Sequence, residues 1–274
     1  MRRGAVFLAL CLAPLPALAE SGASAPPASH EQPFLYDRQA GIGVTSSALG
    51  RGFTQDVRLR FTEPFAEGRV SLRIESPMVY ARVADGRTAG IGPDADTGGG
   101  TGSPVGIRRS VASGDVSLRL SGLAYADAGR AVQGLFDLSA PTGTADTGAA
   151  RFVASPAISG IWLAHRHWGL AGQLRQSVSF GGARNAANIN LTEIDAFLFW
   201  RVIPGTAWLT FNPTQRLDFA QRRFGGGTFR VTGGWRLGQV AGGSLSVYVR
   251  PGIGIGRDRP YDWNVEAGLT LSAF

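Results

Sequence analysis

The sequence predicts an all-β protein: a transmembrane antiparallel up-and-down β-barrel of about twelve strands. Three observations carry that prediction. Segment after segment alternates apolar with polar residues at period two, which gives a strand one greasy and one wet face. The closing stretch shows the pattern over its whole length. Trp263, Val265, Ala267, Leu269, Leu271 and Ala273 are apolar, Asn264, Glu266, Gly268, Thr270 and Ser272 are polar or small, and the last residue is the aromatic Phe274. The connections also mostly alternate between long and short, although the first, near Gly50, is short where a long one is expected. A soluble sandwich would give many short strands as well. It would not predict alternating loop lengths or a charged face in nearly every strand.

Composition agrees. The 274 residues suffice for one barrel or two ordinary soluble domains. Gly is abundant at 39 and mean hydropathy is near zero, as expected when each strand averages a lipid face against a lumen face. No stretch after the start is long and apolar enough for a transmembrane helix, and none shows period-3.6 amphipathicity. Arg2 and Arg3, the apolar run Ala5–Leu18 and the small-x-small site Ala17-Leu18-Ala19 read as a secretory signal peptide over 1–19. Cys11, the single cysteine, lies inside that leader, so thiol catalysis, disulfides and Cys-ligated metals are not expected of the mature chain. The formal charge is +7 and every basic residue is Arg. These arginines are spread singly at alternate strand positions rather than clustered on a helix or face, which argues against a nucleic-acid partner. The expected location is the outer membrane of a Gram-negative bacterium.

Residues 20–36, rich in Ser, Ala and Pro, read as a flexible periplasmic segment, and 37–274 as the barrel. Asp37–Ala48 is a weaker strand candidate through Ile42 and Val44. Phe53–Thr62 is clear: Val57, Leu59 and Phe61 alternate with Asp56, Arg58 and Arg60. After a turn at 63–68, Val70, Leu72 and Ile74 alternate with Ser71, Arg73 and Glu75. The segment can run to Val83, with Pro77 marking a bulge or a strand end. Residues 84–113 form the longest irregular stretch. Its Asp94 and Asp96 lack a downstream carboxylate at calcium-ligand spacing, so it reads as a loop.

Next, Val116, Leu118 and Leu120 alternate with Ser117, Arg119 and Ser121, then Val132, Phe136 and Leu138 with Gln133, Asp137 and Ser139. Phe152–Ala164 is a Gly/Ala/Ser-rich strand ending in the turn His165-Arg166-His167, where two His without a third ligand do not make a metal site. Leu170, Leu174 and Val178 alternate with Gln173, Arg175 and Ser177. Ile194, Leu198, Trp200 and Val202 oppose Glu193, Asp195 and Arg201. Ala207, Leu209 and Phe211 oppose Trp208, Thr210 and Asn212, and the strand reaches Phe219. After a loop at 220–227, Phe229, Val231 and Trp235 alternate with Arg230, Thr232 and Arg236. Leu245, Val247 and Val249 alternate with Ser246, Tyr248 and Arg250. Gly252, Gly254 and Gly256 precede no helix, so they read as narrow strand residues rather than a phosphate loop. The count is about twelve, with ten or fourteen as alternatives, and both termini fall on the periplasmic side.

Certain turn residues also resemble a known family. Gly114-Asp115-Val116-Ser117-Leu118 opens a strand and is followed by Leu138-Ser139-Ala140-Pro141-Thr142-Gly143, a polar loop and a Gly-rich strand pair ending near Gly181-Gly182. This is similar to the G-D-L-x-L … P-T-G framework of the meta-pathway phenol-degradation family of outer-membrane transporters. The similarity covers roughly 110–182 and the closing strands from 245. It implies a barrel that takes up aromatic or other small organic compounds.

Alternation places Arg58, Arg60, Arg73, Glu75, Arg119, Asp137, Arg175, Glu193, Asp195, Arg201, Arg230, Arg236, Arg250 and Glu266 toward the lumen, with Asp56. A ring of Arg facing fewer carboxylates favours passive diffusion of small organic solutes, anionic or aromatic. The competing readings are a filled structural barrel whose charges pair across the lumen, a barrel whose loops bind partners, and a hydrolase. The last lacks a nucleophile motif beside His30, His165 or His167. No cofactor is implied. The expected partners are outer-membrane lipid, the solute, and the barrel-assembly machinery acting on the C-terminal strand. One irregularity stands out: residues two and four before Phe274 are Ser272 and Thr270, so Phe274 falls on the polar phase unless a bulge near Ala273 corrects it.

Overall fold

The computed structural model describes residues 36–50, 52–83, 108–127, 129–143, 148–165, 167–184 and 186–274. The expected leader, residues 20–35 and the Asp94/Asp96 stretch lie outside them. The described chain is all strand and turn: β1 Gln39–Leu49, β2 Gly52–Phe65, β3 Val70–Val83, β4 Arg108–Ser113, β5 Val116–Ala126, β6 Arg130–Ala140, β7 Arg151–Trp162, β8 Trp168–Gly182, β9 Asn190–Ile203, β10 Ala207–Asp218, β11 Arg223–Val240, β12 Gly243–Gly256 and β13 Trp263–Ser272.

Neighbours along the chain pair antiparallel, and β1 pairs with β13 to close the sheet. Twelve strands make the closed wall, and β4 is an addition to it. The lower half of β3 (Val70–Glu75) pairs with β5, while its upper half (Met78–Val83) pairs with β4. The switch falls at Pro77. Opposite Ser76 and Pro77 stand three residues, Gly114, Asp115 and Val116, so the partner strand carries one extra residue there, and the Gly114 N–H donates to the Pro77 carbonyl at 2.8 Å. The weaker first strand is real, and the count is settled at twelve. Two boundaries differ from the sequence reading. Residues 108–113 are strand rather than loop. The 220–227 loop shrinks to 219–222, because the Gly-rich start of β11 pairs with β10 and β12.

Closure follows from the solvent. In a hydrocarbon layer every backbone N–H and C=O must find a partner within the protein, and a closed antiparallel sheet leaves no open edge. The outer surface fits that layer. Leu59, Phe61, Ile74, Leu118, Leu120, Ile158, Leu170, Leu174, Ile194, Leu198, Val249, Val265 and Leu269 all project outward and are exposed. So contiguous an apolar surface would be a liability in water. Aromatic side chains bracket it at both ends. At one end stand Phe65, Tyr125, Trp162, Trp168, Trp200 and Trp235. At the other, Phe152 packs on Phe180, Phe219 on Phe224 and Phe53 on Trp263, with ring centroids 5.5–6.4 Å apart. Two such girdles are what the membrane–water interfaces select.

The girdles also separate two kinds of connection. The Trp end carries the tight turns at 66–69, 204–206 and 241–242 and the junctions of β5 with β6 and of β7 with β8, together with Tyr36 and Phe274. The opposite end carries the ends of β1 and β2, β6 and β7, β8 and β9, and the connections at 219–222 and 257–262. They are called the turn end and the loop end below.

A left-handed residue after the end of β13, rather than a bulge in the pairing, turns Phe274 to the lipid face. Ala273 adopts a left-handed φ of 57°, which ends β13 at Ser272. Gly243 lies on the outward parity of β12. A Cβ placed on it would meet Phe274 Cβ at 2.8 Å and Leu271 Cδ1 at 3.1 Å, so the phenyl group shares the lipid face with Leu271. The Ala273 N–H donates to the Arg38 carbonyl, and the Arg38 guanidinium stands 6.0 Å from the Phe274 ring centroid.

The residues that carry the family resemblance form a clamp. The Asp115 carboxylate accepts from the Gly143 N–H at 3.0 Å and the Ala149 N–H at 2.6 Å. The Thr142 hydroxyl donates to the Gly114 carbonyl and accepts from the Val116 N–H, both at 2.9 Å. Gly148 must lack a side chain, because its Cβ would fall inside the Asp115 carboxylate. The G-D … P-T-G pattern therefore fastens residues 141–143 and 148–150 onto the β4–β5 bulge. It is a device of the loop end and touches the lumen only at its rim.

Candidate functional site

The barrel interior is polar because its inward parity is polar. Thr45, Asp56, Thr62, Ser71, Ser121, Gln133, Ser155, Ser159, Ser177, Thr210, Asn212, Thr228, Thr232, Asn264 and Glu266 are all buried on that side. All of them but Thr210 line a cavity of about 1820 Å³ that runs along the barrel. Twelve arginines and nine carboxylates line it: Arg58, Arg60, Arg73, Arg119, Arg175, Arg216, Arg222, Arg223, Arg230, Arg250, Arg257 and Arg259 against Asp56, Glu75, Asp137, Glu193, Asp195, Asp218, Asp258, Asp262 and Glu266.

The strand registers set who meets whom. Thr45 of β1 lies between Glu266 and Asp56, which brings two acidic residues to the β13–β1–β2 wall. Glu266 is only 6 % exposed and accepts from Arg60 Nη1 and Nη2 at 3.2 Å, from Arg250 Nη1 at 3.2 Å and from the Tyr248 hydroxyl at 2.7 Å. Arg60 also pairs with Glu75 at 3.0 Å, and Arg58 bridges Asp56 at 2.5 Å and Glu75 at 3.6 Å. Farther round, Arg73, Arg119 and Asp137 stand abreast on β3, β5 and β6. Arg119 holds Asp137 through two bonds of 2.5 and 3.0 Å, and Arg175 of β8 reaches the same carboxylate at 3.7 Å. Arg73 donates to the Thr62 hydroxyl at 3.2 Å and has no carboxylate within ion-pair distance among the described residues. The β9–β11 wall is balanced instead: Arg216 faces Glu193 at 3.3 Å and Arg230 faces Asp195 at 3.7 Å. Excess positive charge therefore lies toward β2–β8, and among the described residues the buried Nε groups of Arg175 and Arg230 have no hydrogen-bond acceptor.

Of the arginines assigned inward by alternation, Arg201 and Arg236 do not line the cavity. They have the inward parity but stand at the turn-end limits of β9 and β11, below it. Three features escaped the sequence reading. Arg216 follows the same parity as Asn212 and was within reach of the alternation rule. Phe197 and Phe199 also line the cavity, with their rings stacked 5.9 Å apart; they were masked by the unbroken apolar run from Ala196 to Trp200. At the loop end, the 257–262 connection folds into the mouth. The Gly50 N–H donates to the Asp262 carboxylate at 2.7 Å, the Asp262 N–H to the Ala48 carbonyl at 2.7 Å, and Arg259 Nε to Asp262 at 2.6 Å. Gly254 admits this fold, since a Cβ there would overlap the Tyr261 carbonyl oxygen. The Asp262 carboxyl is held below its usual range, first by the Gly50 N–H and then by Arg259.

His165 and His167 stack on each other in the β7–β8 turn with centroids 5.5 Å apart. No group of three His, Cys, Asp or Glu able to hold a metal occurs among the described residues.

No family model matches the sequence, and no curated protein matches it. Solved structures do. An outer-membrane channel of the COG4313 group from Pseudomonas putida F1 is similar over 89% of this chain and 100% of its own, with a TM-score of 0.60 at 12% identity. This is the fold of outer-membrane channels. The KdgM porin is similar over 85% of this chain and 98% of its own, and the NanC porin over 86% and 98%; each has a TM-score of 0.53, at 11% and 9% identity.

Proposed function

We propose that the chain is an outer-membrane channel for passive diffusion of small organic anions, aromatic ones included. The observation that carries this reading is the surplus of arginine over carboxylate along the lumen, with Arg73 free of any carboxylate partner among the described residues. A fixed guanidinium fork pairs with carboxylate or phosphate without losing its charge. The resemblance in the G-D … P-T-G framework supports an organic solute, and the stacked Phe197 and Phe199 offer it an apolar surface inside the polar tube. One solved KdgM structure is a complex with disordered oligogalacturonate, a polyanion, which makes anion passage through a barrel of this fold reasonable. In this reading the turn end faces the periplasm, the girdles sit in lipid, and the assembly machinery engages β13.

Reconstitution into a planar bilayer tests the proposal. Discrete steps with an anion-selective reversal potential are the expected result, and Arg119→Glu reduces that selectivity. Cation selectivity, or no response across several such arginine variants, overturns it. The second reading, a filled barrel, draws on the ion pairs that link neighbouring and distant strands, such as Arg60 with Glu266. A heat-modifiable protein that passes no current supports that alternative.

A further inference from the structure

The surplus of positive charge in the lumen is not spread evenly. In the wall formed by β12, β13, β1, β2 and β3, Arg58, Arg60 and Arg250 are matched one for one by Asp56, Glu75 and Glu266. In the β9–β11 wall Arg216 is matched by Glu193 and Arg230 by Asp195. Between them lie Arg73, Arg119 and Arg175, on β3, β5 and β8, with the single carboxylate of Asp137. Three guanidinium groups gather round one acid, an excess of two charges at one place.

The register explains why this excess stays open. Arg119 is directly opposite Arg73 across the β3–β5 ladder, so two like charges share one face, which costs free energy unless an anion joins them. The carboxylates beside them are engaged. Glu75, two residues along β3 from Arg73, meets Arg60 at 3.0 Å and Arg58 at 3.6 Å. Asp137, next along the row beyond Arg119, takes two bonds from Arg119 and an ion pair from Arg175 at 3.7 Å. Arg73 is left with one hydrogen bond, from Nε to the Thr62 hydroxyl. Both of its Nη groups and the Nη1 of Arg119 are without an acceptor among the described residues, and all three arginines line the cavity. Two planar forks one strand spacing apart, about 4.8 Å, can clamp a single oxyanion from two sides. A dianion cancels the excess, whereas a monoanion leaves half of it.

We propose that Arg73, Arg119 and Arg175 form a binding site in the lumen for a dianionic oxyanion: a sulfate- or phosphate-like group, or a dicarboxylate. Its part in passage rests on the channel reading above, and there it makes passive flow saturable, because the solute halts at the site. Arg73 is the residue on which affinity depends most, since it has no carboxylate of its own to release.

The test is calorimetric titration of the full-length protein, folded in detergent, with sulfate, succinate and acetate at neutral pH, together with block of chloride current by the same anions in a planar bilayer. Heat-modifiable mobility checks the fold of each variant. Sulfate or succinate should bind saturably and about tenfold more tightly than acetate. Tighter sulfate assigns a compact tetrahedral anion and tighter succinate a dicarboxylate; either supports the site. Arg73→Gln should weaken binding by about tenfold. Arg175→Gln should weaken it as well, and decides the matter if Arg73→Gln does not fold. Arg236→Gln makes the same charge change outside the cavity and should bind like the wild type. A wild type without saturable binding, acetate held as tightly as the dianions, or a folded Arg73→Gln that binds like the wild type overturns the site. Binding without current keeps the site and overturns the channel. Current with neither binding nor block overturns the site and keeps the channel.

Discussion

Replacing Glu266 by Gln should separate what holds the barrel together from what it lets through. Glu266 is the acceptor for two arginines and one tyrosine, and the substitution keeps its shape while removing its charge. The amide oxygen can still receive Tyr248 and one guanidinium. Arg60 retains Glu75, and Arg250 keeps its bond to the Thr232 hydroxyl at 2.9 Å. Removing one partner of a buried ion pair typically costs about 3–5 kcal/mol. Partial retention by the amide puts the expected loss near the lower end, about 3 kcal/mol, read as a lower urea midpoint for the folded, heat-modifiable form. The effect on passage has the opposite sign for anions. Deleting one negative charge about 6 Å from a solute in a water-like dielectric is worth about 0.7 kcal/mol, or roughly threefold in anion occupancy. The reversal potential in a salt gradient should therefore shift toward anions in a variant that is less stable. A variant as stable as the wild type would show that Glu266 does not organise the wall. A shift toward cations would show that it does not face the conducting path.

Asp115→Ala removes two charge-assisted acceptor contacts from the 141–150 loop and should cost about 2 kcal/mol, with the loop becoming susceptible to proteolysis while selectivity is unchanged. Gly148→Ala should reproduce that phenotype through collision with the same carboxylate. Ala273→Val places a β-branched residue at a left-handed φ and should slow barrel assembly in a folding time course, whereas Ala273→Gly should not. Because the Asp262 carboxyl is held below its usual range, its tie to Gly50 contributes fully above the unfolded value and is lost as pH falls through the lower folded one. Amide exchange at Gly50 should stay protected down to about pH 4 and rise only below it, and Asp262→Asn should raise it at neutral pH.

Much of this was legible because strand parity is a strict rule: once Val57, Leu59 and Phe61 are outward, Asp56, Arg58 and Arg60 have nowhere else to point. Parity fixes the face but not the height. That is why Arg201 and Arg236 carry the inward phase and still lie below the cavity. It also fails where both faces are apolar, as at Phe197 and Phe199, where a bulge adds a residue, as at Gly114–Asp115, and where a left-handed residue turns the chain, as at Ala273. The turn motif could be recognised from its residues, but its physical purpose needed the Asp115 contacts.

The seam between β1 and β13 has a consequence for how the molecule forms. Every other pairing in the wall joins strands close in sequence, but this one brings Gln39 to Ser272. Closing a loop of that length costs about 5 kcal/mol of chain entropy beyond a constant, and it is recovered only when the whole register engages. The seam should therefore be the last contact made and the first to open. A chain deprived of β13 would not relax into an eleven-stranded tube; it would be a curled sheet with two raw edges, sticky toward any strand that met them.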